Sequence, residues 1–157
     1  MSFKDRSFSQ RIKQGGMGDQ AEAVFENVYP LAWDRMGWNR PSTPMNGMVA
    51  FIRYMPDYMT FHGPVEVQGF GGDQTIKLKL DKLDALHEWD LVQPTRLFLF
   101  DSKQSQHATI TVPELLALVA RKETEVRCFP EGKEYYAIPA NLIPTWEPYD
   151  PEDYPDA

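Results

Sequence analysis

The chain has 157 residues, a net charge of −7 and one cysteine, Cys128. That length accommodates one domain with a normal core, and a lone cysteine excludes an internal disulfide and suits a reducing cytosol. No apolar run is long enough to span a bilayer. His62, His87 and His107 lack metal-ligand spacing, which argues against zinc, and Gly69-Phe70-Gly71-Gly72 fits neither a Walker phosphate loop nor a nucleophile elbow.

Residues 1–17 set Lys4, Arg6, Arg11 and Lys13 against Asp5 and read as a flexible basic arm, too polar for a secretory signal. A helix is predicted from Gly18, with Asp19 as N-cap and Ala21, Val24, Phe25 and Val28 on one face. Trp33, Trp38, Pro41 and Pro44 mark a loop. The apolar run 48–55 then predicts a strand that delivers Asp57 to its end. Val65 and Val67 alternate with Glu66 and Gln68, so the next strand sends the two polar side chains to one face. The short connection between 58 and 63 predicts an antiparallel pair. Thr75 to Trp89 reads as a helix, with Ile76, Leu80, Leu83 and Leu86 at helical spacing and Lys77, Lys79 and Lys82 on its other faces.

The run 94–101 is near-continuously apolar, as befits a buried central or parallel strand. A short amphipathic helix covers 112–121, entered through Pro113. Residues 134–139 read as a strand pairing with 107–112 or with 125–129. From 146 onward, prolines and aromatics alternate with Glu147, Asp150, Glu152, Asp153 and Asp156 and no base, a composition that cannot be helical.

Asp57 and Glu66, on neighbouring short strands, are the carboxylates whose convergence suits a hard divalent cation, because Mg²⁺ takes one or two carboxylates and fills its shell with waters and substrate phosphate. A plainer arrangement uses the same residues: Asp57 as a turn residue after Pro56, and Glu66 and Gln68 as the solvated face of an edge strand. Asp101-Ser102-Lys103 and Glu131-Gly132-Lys133 imitate the same acid-and-lysine spacing elsewhere in the chain.

Pro56-Asp57, followed by Glu66-Val67-Gln68, resembles the signature of the PD-(D/E)XK nuclease superfamily, with glutamine where that signature usually carries lysine. The order helix, strand, strand with Asp57, strand with Glu66, helix, strand over roughly 18–101 is similar to that superfamily's core. The resemblance implies a single-domain α/β restriction-endonuclease-like fold, a mixed central sheet flanked by helices, between the arm (1–17) and the tail (146–157). It further implies a Mg²⁺- or Mn²⁺-dependent deoxyribonuclease. In it Asp57 and Glu66 bind the metal, and Glu22, four residues after Gly18, supports it from the first helix. Gln68 positions the attacking water, and Lys77 is the nearest substitute for the missing lysine.

Lys77, Lys79 and Lys82, with Lys13 and Arg11 of the arm, are the candidates for contact with the DNA backbone. Short length and a glutamate on the first helix look most like Holliday-junction resolvases and small phage-type nucleases, which implies branched DNA as substrate, a homodimer, and the cytosol of a bacterium or phage-infected host. Glutamine at 68 equally suits a lapsed enzyme that still binds DNA. The acidic tail either engages a protein partner, covers the protein's own DNA groove, or solubilises.

Overall fold

The computed structural model describes residues 16–36 and 50–154. These form an α/β domain built on a mixed six-stranded sheet. The elements are α1 (Met17–Val28), β1 (Trp33–Arg35), α2 (Ala50–Arg53), β2 (Tyr58–Thr60), β3 (Gly63–Phe70), β4 (Thr75–Lys79), α3 (Leu80–Val92), β5 (Arg96–Asp101), β6 (Gln106–Thr111), α4 (Val112–Val119), β7 (Glu125–Cys128), β8 (Glu134–Pro139) and β9 (Glu147–Pro148). The main sheet has the order β1-β2-β3-β5-β6-β9, and a small second sheet has the order β4-β8-β7. No helix among the described residues is long and apolar enough to cross a membrane.

Side-chain parity on the central strands separates two cores. Val65 and Val67 of β3 and Phe98 and Phe100 of β5 meet Ala21, Val24 and Phe25 of α1 on one face. On the other face Phe70, Leu97, Leu99, Ala108 and Ile110 pack with Leu83 and Leu86 of α3, Leu115 of α4, and Ile76, Leu78 and Ile138 of the small sheet. β5 runs parallel to β3 and antiparallel to β6, and all but its first residue are buried, the central position its apolar run predicts. β2 and β3 form the expected antiparallel pair. α1 comes so close to β3 that a Cβ at Gly69 would collide with the Met17 carbonyl. Glycine there lets α1 descend onto the sheet and bring Glu22 with it.

Three local expectations give way. α1 starts at Met17, capped by Gly16, so Asp19 lies in its first turn, where an acid complements the helix dipole. Thr75–Lys79 is a strand, not the start of a helix. Its strict alternation, Ile76 and Leu78 in and Lys77 out, lets it pair with β8, and the helix begins only at Leu80. The described part of 48–55 contains the short helix α2 rather than a strand. A short apolar run does not distinguish the two by periodicity; here tertiary packing selects the helix, with Phe51 stacked on Trp89 of α3 at 4.3 Å and the Trp89 indole N–H donating to the Phe51 carbonyl at 2.9 Å.

β8 takes the second of its two expected partners, 125–128. α4 carries a capping box between Thr111 and Glu114. Residues 147–154 do not trail from the domain: β9 extends the sheet beside β6, and Tyr149 is buried against Phe100, with the Asn27 amide donating to its hydroxyl.

Candidate active site

Pro56 holds the chain extended ahead of β2, and Asp57 stands one residue before that strand begins. β2 pairs with β3 only as far as Val65, so the β3 edge beyond it loses its neighbour there. Asp57 fills the gap: its Oδ2 accepts the Val67 backbone N–H at 2.9 Å. Glu66, on the β3 face that looks toward α3, is buried, and its Oε1 accepts from Lys82 Nζ at 2.7 Å. The two carboxylates of the motif and a lysine are thus gathered where the β2–β3 pair opens.

The electrostatics follow from that crowding. Burial, then the charge of Glu66, then that of Glu22, push the Asp57 carboxyl well above the usual carboxylate range; the Val67 N–H and Lys82 act against them. The Glu66 carboxylate beside Lys82 raises the ammonium above the usual lysine value in spite of desolvation, so Lys82 is a fixed cation in this site. Tyr54 stands close enough to act on Lys82, and its buried Oη has no hydrogen-bond partner among the described residues. A buried hydroxyl left unpaired costs about 1–3 kcal/mol.

Neither family models nor curated proteins nor solved structures yield a match to this chain. Its chemistry is therefore read from its own side chains.

Glu22 reaches the neighbourhood from α1 and is buried, but Arg35 Nη1 lies 3.5 Å from its Oε2, while Arg35 Nη2 donates to Glu26 at 2.9 Å. Among the described residues no group of three His, Cys, Asp or Glu side chains is assembled to hold a metal ion. Asp57 and Glu66 are the two carboxylates left at this place, and a Mg²⁺ ion, which takes one or two carboxylates and fills its shell with waters and phosphate oxygens, would need no third.

Gln68 shares the Glu66 face, but its amide N–H donates to the Lys77 carbonyl at 2.7 Å and ties β3 to β4. Lys77, the expected substitute for the missing lysine, makes its contacts away from the two carboxylates. It is exposed on β4, 3.9 Å from Asp73 and over the Tyr135 ring. Lys79 lies over Phe129. Lys82, expected among the phosphate contacts, is instead the lysine beside the carboxylates. Arg11 and Lys13 lie outside the described residues. Asp101, the imitator, is fully buried and occupied as a turn cap: it accepts from the Lys103 and Gln104 backbone N–H groups and from the side chains of Gln74 and Gln106.

Sequence reasoning missed Tyr54 and the role of Lys82. Once the helix starts at Leu80, Lys82 falls on one stripe with Leu86 and Trp89, and that spacing was the available signal.

Proposed function

We propose that this protein is a Mg²⁺-dependent deoxyribonuclease of PD-(D/E)XK type whose motif lysine comes from α3 instead of position 68. The observation that carries it is the 2.7 Å contact between Lys82 and Glu66, beside an Asp57 whose acidity is suppressed by burial and then by the charges of Glu66 and Glu22. Two neighbouring carboxylates repel each other, Lys82 is bonded to only one of them, and a divalent ion would relieve the repulsion. When bound, such an ion stabilises charge on the phosphoryl oxygens and lowers the pKa of a water.

The chain's own groups do the rest. Asp57 and Glu66 hold the ion, and Glu22 biases the field through Asp57. Lys82, kept protonated by Glu66, neutralises charge that grows on the scissile phosphate. The Tyr54 hydroxyl donates to the phosphate or to its attacking water. Lys77 and Lys79, on the outward side of β4, accompany the backbone. Branched DNA cut by a homodimer, as in Holliday-junction resolvases, is the proposed substrate class. Commitment of the Gln68 amide to the Lys77 carbonyl favours a second reading, a DNA-binding module with lapsed chemistry.

The test is cleavage of labelled four-way-junction, flap, single-stranded and duplex DNA with Mg²⁺ or Mn²⁺. Cutting by wild type that disappears in Asp57→Ala and Glu66→Ala is expected, and the best substrate names the subclass. Salt-sensitive binding without cutting by wild type in either metal rejects the enzyme in favour of the binding module.

A further inference from the structure

On the sheet face that α1 covers, the helix ends at Val28 and leaves β6 exposed beside it. Between the α1 C-terminus and the strands β3, β5 and β6 lies a cavity of about 250 Å³. Its walls are aromatic and aliphatic: Phe25 and Phe98 meet edge to face at 5.3 Å, and the His107 ring lies against Phe98 at 5.4 Å and 23°. Burial lowers the pKa of His107, so the ring is neutral at pH 7 and presents one donor and one acceptor on an aromatic plane.

Arg96 supplies the charge. It opens β5 with the same parity as Phe98, so its side chain joins this lining, and it is exposed. Among the described residues no carboxylate lines the cavity, and none forms an ion pair or hydrogen bond with the Arg96 side chain. Arg35, Arg121 and Arg127 differ, holding Glu26, Glu123 and Glu125, and Arg53 lies over the Tyr54 ring. Thr60 and Thr109 add hydroxyls to the lining.

From this geometry we infer a binding site, separate from the carboxylate centre and on the opposite face of the sheet, for a planar aromatic group bearing one anionic substituent. The ring stacks among Phe25, Phe98 and His107, and the anion takes the guanidinium at the rim in the bidentate manner that arginine allows. Size restricts the ligand: sites for drug-sized ligands run from about 300 Å³ upward, so this cavity takes one ring system and its substituent, not a dinucleotide. A nucleotide base with its phosphate and a free aromatic carboxylate share this chemistry. The site stands whether or not the carboxylate centre is a nuclease.

The experiment is calorimetric titration of the full chain, without divalent metal, with deoxythymidine 5′-monophosphate, thymidine, benzoate and inorganic phosphate. Wild type is compared with Arg96→Gln and with Thr109→Phe, which fills the cavity from exposed β6. Saturable binding of the monophosphate or of benzoate is expected, and which one binds identifies the source of the anion. The uncharged nucleoside and Arg96→Gln are each expected to bind roughly tenfold to a hundredfold more weakly, the loss of one charge-assisted contact, and Thr109→Phe is expected to abolish binding. Failure of both anions to saturate, or affinities unchanged in both variants, overturns the site.

Discussion

Asp57 and Asp101 are two aspartates of one sheet with opposite environments. Asp101, at the end of β5, is fully buried and receives four N–H donors, two from the backbone of its own turn and two from glutamine side chains. Asp57, before β2, receives the Val67 N–H and otherwise faces the like charges of Glu66 and Glu22, with Lys82 as the counterweight. A carboxylate whose lone pairs are filled stabilises the fold; one whose acidity is suppressed by burial and by carboxylate neighbours is a candidate for binding a ligand. Each aspartate closes or precedes a strand of the same sheet, and the partners separate them.

That contrast sharpens under mutation. Lys82→Met is expected to lower the metal-dependent cleavage rate by about 10²–10³-fold, the usual cost of removing one preorganised charge stabiliser, with Lys82→Arg recovering part of it; single-turnover kinetics check this. Asp101→Ala is expected to cost about 2–3 kcal/mol, because buried donors lose their acceptor, and to lower Tm by roughly 5–10 °C in calorimetry while cleavage at low temperature persists. Unchanged stability would erase the distinction from one side.

Asp57→Asn is expected to act in the opposite direction. The folded-state pKa of Asp57 lies above its unfolded value, so the native state binds this proton more tightly. Its contribution to stability therefore declines as pH rises from the ordinary carboxylate value through the raised one, and stays unfavourable above it. The asparagine variant, which keeps an acceptor for Val67, should melt higher than wild type at pH 8 and show no such gain in acid. Melting curves across pH read this directly. The smallest effect on stability is expected for Tyr54→Phe: its hydroxyl has no partner among the described residues to lose, so Tm should hold or rise slightly, while cleavage slows.

Much of the frame was legible in the residues. The alternation of Val65 and Val67 with Glu66 and Gln68 gave β3 and its two faces, and the apolar run 97–100 gave the buried strand β5. The stripe Ala21, Val24, Phe25 located α1. What was hidden required two elements at once. Ile76 and Leu78 alternate as a strand, yet Ile76, Leu80 and Leu83 also fit a helix, and only pairing with β8, more than fifty residues away, decides between them. The boundary at Leu80 then fixes the face of Lys82, so the lysine beside Glu66 was unreadable until β4 was known. Tyr149 likewise declares itself only once β9 joins β6.

The central claim is that Asp57 and Glu66 form a divalent-metal site. Titration with Mn²⁺, followed by loss of the free-ion electron paramagnetic resonance signal with a four-way junction present, tests it most directly. One ion bound per chain in wild type, and none in Asp57→Ala or Glu66→Ala, is the expected result. Equal Mn²⁺ binding by wild type and both variants would contradict the account.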